Sequence, residues 1–255
     1  MRTSWQLGPN TNFLMLLSAT ILLLWYFDAF NPRTLAKLPN LGAFISNALP
    51  PNPAPIPVLL LSMVETVMIA LAGTVIAVLI AVPLATLSTR SLFSTPVTTF
   101  FRLLLSVIRT VPSILWALLF VITVGFGPLA GVLGTAMYSL GYLGKLLYEA
   151  FDVVNKEVLD AVRMTGAGKL ALMRYVVIPE SANYIISQSI FMFEYNVRAS
   201  TILGLVGAGG IGFYILSYVQ VLDYRSLTTT LLVVLVFVVA FDFISSKLRS
   251  RFLPS

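Results

Sequence analysis

The sequence predicts an all-α integral membrane protein of about six transmembrane helices, and three observations carry that prediction. Of its 255 residues, 58% are hydrophobic and only 10% are charged, with a mean hydropathy of +0.94. A soluble domain of this length cannot bury so much apolar surface. Six stretches reach the roughly 20 apolar residues that a helix needs to cross the hydrocarbon core; they lie near residues 12–30, 58–88, 97–124, 128–150, 181–203 and 226–246. Finally, the basic residues between them are distributed unevenly, as a bilayer demands.

Taken in order, the first stretch, "FLMLLSATILLLWYFDAF", follows Arg2 and ends on Trp25, Tyr26 and Phe27 with no small-residue cleavage site, so it reads as a retained anchor. The segment "NPRTLAKLPNLGAFISNALPPNPAPIP" is rich in proline and asparagine and should be an external loop with at most a short surface helix. Residues 1–57 thus form an N-terminal anchor with its loop, and 58–255 form one membrane core domain. With the N-terminus inside, Arg2, Arg90, Arg102, Lys156, Arg163, Lys169, Arg174, Lys247, Arg249 and Arg251 fall on the cytoplasmic side, leaving only Arg33, Lys37 and Arg225 outside. Both termini are therefore expected in the cytoplasm.

There are no cysteines and no histidines, which excludes disulfides, thiolate or imidazole metal sites, and Ser/His or Cys/His catalysis. The net charge of +6 is spread along the chain rather than clustered with aromatic residues, so the expected partner is membrane lipid and not nucleic acid. "TGAGKL" at 165–170 superficially resembles a nucleotide-binding loop, but Arg163 stands where the first glycine belongs and Leu170 where Ser/Thr belongs. "GAGGIG" at 207–212 fits the dinucleotide pattern, yet no strand leads in and no acidic residue follows about 20 positions on. No cofactor is expected on this chain.

Inside the cytoplasmic segment of about 152–180, Asp160-Ala161-Val162, Gly166, Val176, Ile178 and Pro179 match the spacing E-A-A, three residues, G, nine residues, I-x-L-P. This resembles the coupling loop of ABC importer permeases, with Asp160, Val162 and Ile178 departing from the consensus. Physically the pattern reads as a short helix, a turning glycine, a second helix and a proline that ends it. The stretches 62–88, 104–134, 141–154 and 193–212 resemble the phosphonate-type branch of these permeases, while methionine-type permeases share the glycine-rich end.

The resemblance implies a type I, MetI-like importer fold in the bacterial inner membrane. It implies alternating access, two ATPase subunits that hold the ATP and Mg, an extracytoplasmic binding protein, and a second permease copy in a homodimer. Asp160, Ala161, Arg163, Gly166, Lys169 and Pro179 would couple to the ATPase, and Gly207, Gly209, Gly210 and Gly212 would shape an outer gate. The implied solute is phosphonate or a related phosphorus oxyanion such as phosphite or hypophosphite, with methionine or another anion as the alternative. A self-sufficient secondary transporter would instead need coupling carboxylates near the midplane and an internal repeat, which the sequence does not display.

Three cations lie within or beside the spans: Arg109, Lys145 and Arg198. Each costs at least about 2.5–3.5 kcal/mol near the bilayer centre unless partnered or hydrated. Glu194 stands one helical turn before Arg198, and Lys145 one turn before Glu149, in positions to pair; Asn196 points elsewhere. Arg109 precedes Pro112, which breaks the helix, and no acid lies one turn away. Arg109 is either a transport-path residue or the partner of Glu65 on a neighbouring helix. The stripe Gly73, Ala77, Ala81, Ala85 predicts close helix packing.

Overall fold

Proline and glycine divide the apolar chain into helices, and the structure, a computed structural model, describes residues 9–37 and 39–252. Arg2 lies outside the described residues. The described elements are all helical, and the chain falls into two compact units, Met1–Pro50 and Pro51–Ser255.

The first unit contains α1 (Pro9–Tyr26), α2 (Pro32–Leu35) and α3 (Pro39–Ala48). The proline-rich segment expected to hold at most a short surface helix thus holds two helices. At α2 the cause is local: the Asn31 side chain accepts the Arg33 N–H at 3.0 Å, and Pro32 supplies a fixed φ where no N–H is required.

The second unit contains α4 (Ile56–Leu87), α5 (Thr95–Thr110), α6 (Ser113–Val124), α7 (Pro128–Asp152), α8 (Lys156–Arg163), α9 (Lys169–Leu172), α10 (Ile178–Leu203), α11 (Gly212–Gln220) and α12 (Tyr224–Arg249). By length and composition α4 and α12 can cross a membrane, and α5 with α6 makes a third crossing if the bent pair counts as one. The expectation of about six crossings is met only in part by this criterion. α7 and α10 have 25 and 26 residues, ample for a ~30 Å core, but α10 carries Asn183, Gln188, Glu194, Asn196 and Arg198 along its length. Of these only Glu194 and Asn196 are buried, each bonded to another helix.

Residues 97–124, expected to form one span with a kink, instead form two helices bent by 86° at Val111–Pro112. Pro112 has no N–H to continue α5, and it pushes Val111 into an extended conformation (φ −82°, ψ 119°). One carbonyl freed at the break, that of Ile108, accepts the Trp116 indole N–H at 3.2 Å.

α7 packs against α4, α5, α6 and α10, and glycine sets how closely. A Cβ on Gly134 would lie 2.8 Å from the Ala117 Cα of α6, and one on Gly141 would lie 2.7 Å from the Arg109 amide of α5. A Cβ on Gly144 would strike Leu105, and one on Gly73 of α4 would strike Thr135 of α7. Ala77, Ala81 and Ala85 continue the Gly73 stripe and are fully buried. Small residues let backbones approach where lipid offers no hydrophobic drive for association.

Gly134→Val should therefore lower the unfolding midpoint of the detergent-purified protein by the equivalent of about 1–3 kcal/mol, the usual cost of overpacking. Gly42→Val, where an added Cβ meets nothing within 4 Å, should leave the midpoint unchanged.

Candidate functional site

The segment between α7 and α10 folds as a knob. Asn155 begins it by accepting the Glu157 N–H at 2.9 Å, and Glu157 sits at the positive end of α8. Arg163 in the last turn pairs with Asp160 at 2.8 Å. The chain then reverses at Gly166, whose φ of +81° is costly for any residue with a side chain, and α9 begins at Lys169. Leu159, Leu172, Met173, Val176 and Val177 are buried in the main apolar cluster of the second unit. Asp160, Ala161, Arg163, Gly166 and Lys169 face outward, together with two large apolar side chains: Met164 is 89% and Leu170 81% exposed.

Pro179 does not end the second helix, as its position suggested. A π-helical turn over Met173–Val177 runs straight into α10, and Pro179 lies in the first turn of that helix. The wider turn carries the Ile178 N–H back to the Met173 carbonyl, so the chain passes the proline without breaking.

The short loop between α4 and α5 straps this knob to the bundle. Arg163 donates to the Ser91 carbonyl at 2.9 Å, and the Lys169 ammonium lies 5.0 Å from the centre of the Phe93 ring. On the other side, the Arg90 N–H donates to Asp152 at 2.8 Å, and Arg102 bonds both the Ser88 carbonyl and the Asp152 carboxylate. Two of the coupling residues singled out by sequence, Arg163 and Lys169, thus contact residues 91 and 93 directly. Ser91, Phe93 and Asp152 escaped the sequence reading because they are linked only through the fold.

At the opposite end of α4 and α7 lies the glycine-rich turn. Gly207, Gly209 and Gly210 have φ of +85°, +80° and +75°. Gly212 has ordinary helical geometry, but a Cβ there would collide with the Thr201 carbonyl, so its role is close packing against α10. The Gly207 carbonyl accepts the Gly127 N–H at 2.9 Å, Glu65 accepts the Gly210 N–H at 3.1 Å, and Thr66 accepts the Ile211 N–H at 2.9 Å. A cavity of about 520 Å³ opens here, lined in part by Glu65, Phe126, Gly207 and Phe213. Beyond α11, Asp223 caps α12 by accepting the Ser226 N–H at 3.1 Å, and its bonds with Ser226 hold its carboxyl below the usual carboxylate range.

Glu65 is thereby committed to the turn, and the alternative that it partners Arg109 is not realised. Arg109 instead occupies the last turn of α5, where unpaired carbonyls favour a cation. Glu194 pairs with Arg198 as its spacing suggested, and also with Arg249 of α12 at 3.0 Å, a contact invisible in local sequence. Lys145 pairs with Glu149 at 3.4 Å. Asn196, which the helical spacing turns away from the Glu194–Arg198 pair, is fully buried in the bundle, donating to Thr74 of α4 at 2.9 Å and Ser139 of α7 at 2.8 Å. Among the described residues no three acidic side chains stand together as a metal site.

This architecture has known counterparts. The inward-facing MetNI methionine ABC transporter contains a chain with TM-score 0.70 and 17% identity, matched over 80% of this chain and all of that one, which shows a common fold. The chain is 38% identical over 227 residues to the permease protein HtxC of Stutzerimonas stutzeri, spanning 88% of this chain and 80% of that one. It is 33% identical over 234 residues to the phosphite transport system permease protein PtxC of the same organism, spanning 91% and 85%. The family model for binding-protein-dependent transport system inner membrane components matches residues 73–253. With the knob at one end of the bundle and the glycine turn at the other, the chain belongs to the binding-protein-dependent inner-membrane permeases of the type I ABC importers.

Proposed function

We propose that this chain is the permease subunit of an ATP-driven importer of phosphite or related phosphorus oxyanions, phosphonate and hypophosphite among them, working by alternating access. Two copies enclose the path, two ATPase subunits carrying ATP and Mg dock on the knobs, and a soluble binding protein delivers the solute at the glycine turn. In this reading six segments cross the membrane: α1, α4, the bent α5–α6 pair, α7, α10 and α12. Both termini and the knob then lie in the cytoplasm.

The observation that carries the coupling role is the exposed apolar tip formed by Met164 and Leu170 on a knob whose base is buried. Exposed apolar groups rimmed by charge mark protein interfaces, and Asp160, Arg163 and Lys169 supply the rim. Motion of the tip reaches α5 and α7 through Arg163, Ser91, Arg90, Asp152 and Arg102, because Ser91 and Arg90 are chain neighbours and every other link is a hydrogen bond or ion pair. At the far end the turn at Gly207, Gly209, Gly210 and Gly212 rests on Glu65, Thr66 and Gly127 and serves as the outer gate.

The solute class rests on two supports. PtxC, similar over most of its length, is named for phosphite transport. Arg198 is 48% exposed on α10, and half-buried Arg109 and Lys145 stand on neighbouring helices, a cationic lining suited to an anion. Glu194 holds Arg198 and Arg249 in place, and Pro112 supplies the bend that presents Arg109.

Met164→Asp and Leu170→Asp should each reduce co-purification of the cognate ATPase at least ~10-fold while membrane insertion is retained, since hot-spot side chains dominate such interfaces. Undiminished co-purification would refute the docking role. Arg163→Ala should leave the ATPase bound but raise amide exchange across residues 88–94 and lower uptake per ATP hydrolysed. Unchanged exchange would show that the strap does not depend on Arg163.

A further inference from the structure

One face of α7 and one of α10 carry aromatic residues at helical spacing that the coupling and gating roles do not use. On α7, Tyr138, Tyr142, Lys145 and Glu149 stand on one stripe; on α10, Gln188, Phe191, Tyr195 and Arg198 form the matching stripe. All eight are half-buried or exposed, although they occupy the middle and end of helices that pack within the bundle. Tyr138 stacks on Tyr195 with ring centres 5.5 Å apart and planes inclined by 21°, and on Tyr142 at 6.4 Å and 21°. The Arg109 backbone of α5 lies against Gly141, next to Tyr142 on α7. A cavity of about 80 Å³ opens among Tyr138, Tyr142, Phe191, Met192 and Tyr195. At about 30 Å³ per water molecule, it has room for two or three waters or one small tetrahedral anion.

We propose that Tyr138, Tyr142 and Tyr195 form a ladder of neutral hydroxyl donors that binds a tetrahedral oxyanion in transit past Arg198, Arg109 and Lys145. The proposal rests on the reading of this face as the transport path. A phenol hydroxyl remains protonated at neutral pH and donates to oxyanion oxygens. A solute that must also leave is best held by several weak sites in series, because a fully charged cage would trap it. Stacking fixes the rings, so that the donors are presented without ordering cost when the anion arrives. Lipid against Arg198, which stays half exposed beside Glu194, would strip it of hydration, so this face suits a polar occupant.

The test uses the whole complex, with ATPase and binding protein, in proteoliposomes supplied with phosphite. The triple variant Tyr138→Phe, Tyr142→Phe, Tyr195→Phe keeps every ring and removes only the hydroxyls. Phosphite uptake per ATP hydrolysed should fall at least ~10-fold, the scale of one lost hydrogen bond to a charged group, while stimulation by loaded binding protein persists. Uptake at the wild-type ratio would overturn the ladder alone. A wild-type complex that moves no phosphorus oxyanion would instead remove the underlying reading, and the ladder with it.

A second measurement does not depend on the triple variant assembling. The chain has no cysteine, so Tyr142→Cys and the control Leu232→Cys on α12 each introduce one thiol. A small anionic sulfonate thiol reagent should modify Tyr142→Cys at least ~10-fold faster than its cationic counterpart, since the local field concentrates anions. Phosphite should slow that reaction and leave Leu232→Cys unaffected. Failure to react, or preference for the cation, would overturn the proposal.

Discussion

The close approach of backbones along α7 is the constraint on which the rest of the second unit depends. Gly134 admits α6, Gly141 admits the end of α5, Gly144 admits Leu105, and Gly131 lies against the Ala208 carbonyl of the glycine-rich turn. Thr135 fills the gap left by Gly73 on α4. In a bilayer, helices gain little by hiding apolar surface from lipid that is itself apolar, so contact must come from fit and from buried hydrogen bonds. Asn196 supplies such bonds, tying α10 to Thr74 and Ser139 at the same level. α7 is therefore a rigid spine that meets the glycine turn at its start and the strap at its end.

In the proposed reading, that geometry lets the chain respond to ATP held by a partner subunit. The knob is anchored by Leu172, Met173, Val176 and Val177, while Met164 and Leu170 remain free for a partner. Asp152 joins the last turn of α7 to Arg90 and Arg102, and Arg163 joins α8 to the same short loop. Interfaces of this kind have discrete arrangements rather than continuous ones, so in the proposed mechanism a displacement at the knob is passed on as a shift of whole helices. The sharp break at Pro112 and the three left-handed glycines at 207, 209 and 210 are the places where the backbone can absorb that shift.

Much of this was legible in the sequence where the signal was local. The spacing from Asp160 to Pro179 located the knob, Pro112 located the break, the stripe Gly73 to Ala85 located a packing face, and one helical turn sufficed to join Glu194 with Arg198. What escaped depends on contacts between distant residues. Arg249 reaches Glu194 across 55 positions, Glu65 serves Gly210 rather than Arg109, and Asn196 turns into the bundle because two hydroxyls from other helices await it. Pro179 misled for a different reason: a π turn lets a helix continue through a proline, and no residue pattern announces it. The exposure of Met164 and Leu170 likewise emerges only once their neighbours are seen to be buried.

The central claim is that movement at the knob and movement at the glycine turn are opposite ends of one motion. It is tested most directly by spin-label distances between the two copies of the proposed homodimer in the assembled transporter, with labels at Thr165→Cys on the knob and, separately, at Phe213→Cys beside the turn. Locking the ATPases in their ATP-bound state should shorten the Thr165 distance and lengthen the Phe213 distance, each by several ångströms. A Thr165 distance that closes while the Phe213 distance stays fixed, or a pair that changes in the same sense, would contradict the account.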